Sequence, residues 1–117
     1  MAYLTVTFTD STKGPYSLAK LFGGGTITGV TLTPAAPATP PRIPAQTVIQ
    51  GDPGNSSNLG YVGTDATMLP TSGGGIGYSL TATGIPLVLT DTPLAGVFLG
   101  ASANGVKINV ITQGGFQ

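Results

Sequence analysis

Residues 97–112, with the sequence VFLGASANGVKINVIT, carry the clearest indication of the fold. Apolar side chains recur at every second position on both sides of Asn104-Gly105, and a period of two is typical of half-buried strands. Asn-Gly is a favoured pair in a two-residue type I′ turn, because both positions of that turn need a positive φ. The stretch therefore predicts a β-hairpin with strands at residues 97–103 and 106–112.

The turn sets the register of this hairpin, and the register pairs apolar residues with one another. The predicted pairs are Ala103 with Val106, Ala101 with Ile108, and Leu99 with Val110. These six side chains share one face and are expected to be buried. The other face carries Lys107 and Asn109, as expected for solvent, but it also pairs Phe98 with Ile111. An apolar pair on that face indicates a second small core or a contact surface.

Short strands are also predicted along the rest of the chain. They lie at residues 3–9, 26–33, 46–50, 59–63, 76–81 and 85–89. In the first of these the alternation is complete, with Leu4, Val6 and Phe8 on the inward side. In the second the alternation changes phase at Gly29, which predicts a β-bulge. In the last, the odd-numbered residues are expected to point inward, and Pro86 indicates an edge strand or a strand start.

The first 42 residues contain one helical pattern. Leu18, Leu21 and Phe22 have the spacing of a helix face, Ser17 is a suitable N-cap, and a triple glycine follows. Residues 34–44 include five prolines in eleven positions, which predicts an extended connector. We therefore expect an all-β chain with at most one short helix. Residues 43–117 are expected to form an antiparallel β-sandwich or jelly roll, and residues 1–42 an extended N-terminal arm of the same structural unit.

The composition argues against catalysis. Charged residues make up 7% of the chain, with four basic and four acidic side chains, zero formal net charge, and no His, Cys or Trp. The usual general base near neutral pH, thiolate nucleophiles and most zinc ligands are therefore absent. Four cations do not make the basic stripe that binds phosphates. We expect no enzymatic activity, no cofactor, no metal ion and no nucleic-acid partner.

The polar motifs are better explained by turns than by chemistry. All four acids lie in or beside turn sequences, where a carboxylate binds the local backbone. They are Asp10, Asp52, Asp65 and Asp91. The sequence Asn55-Ser56-Ser57 fits an N-glycosylation motif, but the chain shows no signal-peptide pattern, so a turn is the preferred interpretation. No apolar run approaches the ~18 residues that a membrane helix needs, and no membrane partner is expected.

The low charge has a consequence for association. A surface with few charges and no net charge repels its own copies weakly, so such surfaces tend to associate. We expect much of this surface to be covered by partner proteins or by further copies. The alternative is a monomer kept soluble by its many Thr and Ser residues. The candidate interface residues are Tyr3, Thr5, Thr7, Pro40, Pro41, Arg42, Phe98 and Ile111.

Several segments between residues 43 and 112 resemble a known class of protein. They are QTVIQGDPGN at 46–55, Gly60-Tyr61-Val62-Gly63, a Pro/Gly loop, IPLVL at 85–89 with Asp91, Val97-Phe98-Leu99, and the closing hairpin. Together they resemble small structural proteins of tailed bacteriophage virions. The resemblance covers about 70 residues, consists of turn and strand signatures, and leaves the first 42 residues unmatched. It implies a β-sandwich or jelly-roll module of the kind found in capsid decoration proteins, head fibres and tail parts.

The function that this resemblance implies is mechanical. We expect a decoration, or cement, protein on the capsid exterior that bridges subunits of the major capsid protein, as a homotrimer assembled in the cytoplasm of the bacterial host. A tail, baseplate or fibre subunit has the same fold class and the same surface requirements, and stays open. A carbohydrate-binding module is a second alternative, in which Tyr61, Tyr78 and loop Asp or Asn residues would hold a glycan; two exposed tyrosines in one groove would favour it.

Overall fold

The computed structural model describes residues 1–64 and 78–115. Within them the chain forms nine strands and one α-helix, and short 3₁₀ turns at Pro53–Asn55 and Leu94–Gly96. The strands are β1 (Ala2–Phe8), β2 (Tyr16–Ser17), β3 (Val30–Thr33), β4 (Gln46–Gly51), β5 (Gly60–Gly63), β6 (Tyr78–Leu80), β7 (Leu87–Thr90), β8 (Phe98–Ala101) and β9 (Lys107–Gln113). The helix α1 (Leu18–Phe22) begins at Ser17, whose side chain accepts a hydrogen bond from the Lys20 N–H, as the sequence predicts.

The strands form two antiparallel sheets. The five-stranded sheet has the order β3-β1-β9-β4-β7, and the four-stranded sheet has the order β2-β8-β5-β6. The sheets pack face to face, and the contact is close where Ile108 of one lies over Gly60 of the other. A Cβ atom at Gly60 would lie 2.8 Å from the Ile108 Cδ1 atom. The predicted all-β antiparallel sandwich is confirmed.

The core lies between the sheets and follows from the alternation of the strands. Leu4, Val6 and Phe8 of β1 are buried, as predicted, and β8 contributes Leu99 from the opposite sheet. Burying one such side chain contributes about 1.5–3 kcal/mol relative to leaving it exposed. The apolar face of α1 belongs to the same cluster. The outward residues of each strand are left for solvent or a partner.

The predicted hairpin at residues 97–112 is wrong. β8 pairs with β2 and β5, whereas β9 pairs with β1 and β4, so the two strands belong to different sheets. Gly105 has a φ of 89°, but Asn104 does not have the positive φ that a type I′ turn needs. The chain continues pairing with the β5 side at Ser102, whose N–H donates to the Leu59 carbonyl, and only then crosses to the other sheet.

The burial that the hairpin predicted is nevertheless correct for five of its six apolar residues, and Ala103 is half-buried. The buried residues are Leu99, Ala101, Val106, Ile108 and Val110. A period of two puts these side chains on one side of each strand, but it does not distinguish strands that pair side by side from strands that face each other across a core.

The predicted N-terminal arm also needs correction. β1 lies between β3 and β9 inside the five-stranded sheet and hydrogen-bonds to both neighbours. The inward side chains of β1 are buried in the core of the sandwich, whereas an extended arm would leave them exposed. The connector at residues 34–44 has no regular structure except a bridge at Ile43, as predicted, but it packs against the sandwich with Pro40 and Pro44 buried.

Three smaller predictions have mixed outcomes. β3 begins at Val30, and Gly29, with a φ of 89°, lies in a turn instead of a bulge; its carbonyl accepts from the Thr9 and Asp10 N–H groups. β7 is an edge strand that begins just after Pro86, as predicted, but Ile85 is 83% exposed and does not point inward. The predicted loop with Pro70, the start of the strand predicted at 76–81, and Asp65 lie outside the described residues.

Candidate protein-binding surface

The outer side of the five-stranded sheet carries a row of apolar side chains, which we call the apolar row. Tyr3 on β1 pairs with Ile111 on β9, Ile111 pairs with Val48 on β4, and Val48 pairs with Val88 on β7. Tyr3 is 61% exposed, Val88 49% and Ile111 41%, whereas Val48 is half-buried between its neighbours. The row therefore crosses four strands at one level and faces solvent.

Neutral polar rows flank the apolar row on both sides. Gln113, Gln46 and Thr90 lie at one level, and Thr5, Asn109 and Gln50 lie at the level on the other side. We call the apolar row and these two flanking rows, together with Thr7, Lys107 and Asp52 beyond them, the sheet face. The Thr5 hydroxyl donates to the Asn109 Oδ1 atom at 2.7 Å, which orders two of these side chains before any partner binds. Less rotamer entropy is then lost on association.

Two opposite charges stand together at one edge of the sheet face. The Asp52 N–H donates to the Lys107 carbonyl at 3.1 Å, which places the acid beside the base at the end of β4. The Asp52 carboxylate accepts from the Gly54 N–H at 2.9 Å and from the Asn109 amide at 3.2 Å. These bonds, that of Gly54 first, and the charge of Lys107 lower the pKa of the Asp52 carboxyl. Asp52 is therefore anionic at neutral pH and held in position.

The side chain of Asn55 holds this edge of the sheet face in place through the backbone of Lys107. The Asn55 side chain is 4% exposed, donates from Nδ2 to the Lys107 carbonyl, and accepts from the Lys107 N–H at Oδ1, both at 2.8 Å. The side-chain amide thus continues the hydrogen bonding to β9 where β4 ends. Because the Nδ2 atom is engaged and buried, the interpretation of Asn55-Ser56-Ser57 as turn structure is confirmed.

A second surface is an apolar groove at the proline-rich connector. It has a volume of about 360 Å³ and lies between α1, the connector and the Leu94–Gly96 turn. Its apolar walls include Phe22, Ile43 and Leu94, and Arg42 lies at its side. The Arg42 carbonyl accepts from the Leu94 N–H at 3.1 Å, which fixes the connector against the turn.

The structure divides the candidate interface residues among three places. Tyr3, Thr5, Thr7 and Ile111 share the sheet face. Pro40, Pro41 and Arg42 line the groove. Phe98 is half-buried and pairs with Ser17 and Gly63 in the other sheet. The predicted contact of Phe98 with Ile111 is therefore wrong, because it depended on a hairpin that does not form.

Sequence reasoning missed two members of the apolar row. Val48 and Val88 each occupy an outward position in a strand whose other outward residues are polar. That contrast is visible in the sequence, but the alignment of the two residues with Tyr3 and Ile111 requires the strand order.

The two tyrosines of the carbohydrate-binding alternative do not share a groove. Tyr61 pairs with Ser79, and Tyr78 pairs with Val62, in adjacent positions of the β5 and β6 ladder. Adjacent positions project from opposite faces of a sheet. The geometry on which that alternative depended is therefore not present.

No protein-family model, curated protein or solved structure matches the chain. Among residues 1–64 and 78–115, no three His, Cys, Asp or Glu side chains come together as possible metal ligands. The helices found in that part of the chain are all too short or too polar to cross a membrane.

Proposed function

We propose that this chain is a non-enzymatic structural protein of a tailed-phage virion, a decoration protein that stabilises the head by bridging subunits of the major capsid protein. The observation that carries the proposal is the apolar row, because four apolar side chains aligned on a solvent-facing sheet favour coverage by another protein. The virion setting comes from the resemblance of residues 43–112 to such proteins.

The sheet face has the composition of a protein-binding surface. Its centre is apolar and aromatic, its surroundings are neutral amides and hydroxyls, and its charges stand at one edge. Non-obligate interfaces have this arrangement of an apolar centre depleted in charge and a polar rim. The hydrogen bonds among Thr5, Asn109 and Asp52 hold the polar side chains in place.

Bridging requires at least two contact surfaces on one assembly, and the described part of the chain offers two. The sheet face covers one side of the sandwich, and the groove lies between α1 and the connector. The candidate interface residues that the sequence predicts fall mainly on these two surfaces. A bridging protein could therefore use one of them for a capsid subunit and the other for a second subunit or a second copy.

The experiment compares phage heads assembled with the chain, without it, and with variants. Heads that carry the chain are expected to withstand higher temperature before they release DNA. The double variant Tyr3→Ser with Ile111→Thr should lose this protection, because it removes two members of the apolar row. Ile85→Ser is the matched control, since Ile85 is exposed but lies outside the row. Equal heat resistance of heads with and without the chain would refute the proposal, and density for the chain on the tail would favour the tail-subunit alternative.

A further inference from the structure

We infer that the occupant of the sheet face is the same face of a second copy, related by a two-fold axis that runs parallel to the strands between β9 and β4. This inference rests on the proposed function only in that the sheet face is covered by protein. It names the partner as a second copy of the chain, and the strand register shows which residues of the two sheet faces would meet.

Four strands of the sheet are arranged symmetrically about this axis. The order β1-β9-β4-β7 places β9 and β4 at equal distances from it, and β1 and β7 at equal larger distances. A rotation of 180° therefore lays β9 of one copy over β4 of the other, and β1 over β7. Because all four members of the apolar row lie at one level, Ile111 then faces Val48 of the second copy, and Tyr3 faces Val88.

The charges select this axis over the alternative. Lys107 and Asp52 lie at one level on β9 and at the end of β4, so the same rotation places each opposite the other charge in the second copy. An axis perpendicular to the strands through the apolar row would lay β9 on itself and bring Lys107 near the other end of the sheet, away from Asp52 of the second copy. Isologous contacts between copies are self-complementary in this way, and opposite charges at the rim favour the matching register.

The polar rows fit the same arrangement. Asn109 faces Gln50 of the second copy, and Gln113 faces Gln46. Amide side chains carry both donors and acceptors, so each pair can form hydrogen bonds across the interface. In this arrangement each polar row of one copy therefore lies against the same polar row of the other.

The area is that of a weak, reversible dimer. β1 and β9 are seven residues long, β4 six and β7 four. At ~3.3 Å per residue and ~4.8 Å between strands they span a flat area of roughly 380 Å² per copy. Two copies thus bury about 760 Å² before the relief of the side chains is included, less than the ~1,000 Å² of a stable interface and in the range of weak, transient ones. We therefore expect a dimer that dissociates on dilution. The homotrimer expected from the resemblance would need a different contact surface.

Pairing through the sheet face leaves the groove of each copy free. The two grooves are then related by the two-fold axis, and the dimer carries two identical surfaces at the proline-rich connectors. A single kind of contact, made twice, is enough for such a dimer to bridge two capsid subunits.

The first experiment measures mass and proximity in the purified full chain. Native mass is expected to rise from monomer to dimer with concentration. The chain has no Cys, so single cysteines can be introduced at exposed positions and joined by a bis-maleimide with a reach of ~10 Å. Tyr3→Cys mixed with Val88→Cys should cross-link, because facing positions lie about 10 Å apart. Either variant alone should not, since its own symmetry mate lies three strand spacings, about 14 Å, further to the side.

The second experiment tests the charges. Lys107→Glu is expected to raise the dissociation constant of the dimer about tenfold at low salt, with a smaller effect at high salt, because like charges would then meet twice per dimer. Lys13→Glu is the matched control, since Lys13 lies outside the sheet face. Circular dichroism of each variant confirms that the fold is retained.

A monomer at all concentrations, a trimer, or cross-linking of Tyr3→Cys with itself would overturn the inference. A monomer that still protects phage heads would refute the pairing but leave the proposed function standing. A dimer with the expected cross-links that gives heads no protection would refute the proposed function and leave the pairing standing.

Discussion

Replacing Asn55 by Ala removes the side-chain amide that continues the hydrogen bonding of β9 beyond the end of β4. Two hydrogen bonds to Lys107 are lost, each with a net contribution of about 1 kcal/mol. The Lys107 carbonyl keeps the Asp52 N–H as a donor, but the Lys107 N–H loses its side-chain partner in a part-buried site, at a further cost of about 1 kcal/mol. We expect the free energy of unfolding to fall by about 3 kcal/mol in total.

Thermal and urea unfolding measure this effect. For a chain of this length, 3 kcal/mol corresponds to a decrease in Tm of about 12 °C. Amide hydrogen exchange gives a local readout, because the Lys107 N–H should lose protection more than the amides of β1 do. Asn58→Ala is the control, since its side chain is exposed and only its backbone is bonded to the turn. If Asn55→Ala and Asn58→Ala unfold at the same temperature, Asn55 does not support this edge.

Three further changes have expected outcomes. Thr47→Val should raise the free energy of unfolding by about 1 kcal/mol in urea titrations, because the buried Thr47 hydroxyl has no hydrogen-bond partner among the described residues; a lower value would contradict this. Ser17→Ala should lower it by about 1 kcal/mol through loss of the α1 cap, and Ser17→Asp, which keeps an acceptor, should restore most of it. The Thr12 hydroxyl and N–H lower the pKa of the Asp10 carboxyl, and the Gly54 N–H lowers that of Asp52. The two carboxylates therefore stabilise the fold above pH ~4, and this contribution is lost as the pH falls through their lowered pKa values. Asp10→Asn should flatten that acid limb of a pH titration of Tm, and an unchanged limb would exclude Asp10 as a cause.

Burial could be predicted from the sequence far better than pairing. The alternation in β1 identified Leu4, Val6 and Phe8 as core residues, and the helix face and N-cap of α1 were also correct. These features depend on neighbours within a few positions of the chain. Pairing depends on which distant strand is adjacent, and a local sequence pattern does not contain that information.

The Asn104-Gly105 turn shows how a strong local preference loses to tertiary packing. A hairpin there would have left β1 and β4 without the strand between them, since both pair with β9 over six positions. Crossing to the other sheet gives β9 two neighbours. The additional backbone hydrogen bonds and the buried inner face outweigh the small preference for a type I′ turn.

The apolar row exists only because of the strand order, which brings residues from distant parts of the chain to one level. This alignment is also the reason to interpret the row as a binding surface. Its members come from residues 3, 48, 88 and 111, and in each strand the adjacent outward positions are mostly Thr, Gln or Asn. Single exposed apolar residues scattered over a surface are common and need no explanation. Four that meet at one level on consecutive strands form a continuous stripe, and a stripe on a sheet without repelling charges favours association. The neighbouring opposite charges of Lys107 and Asp52 then favour one orientation for whatever binds there, which a purely apolar stripe would leave undetermined.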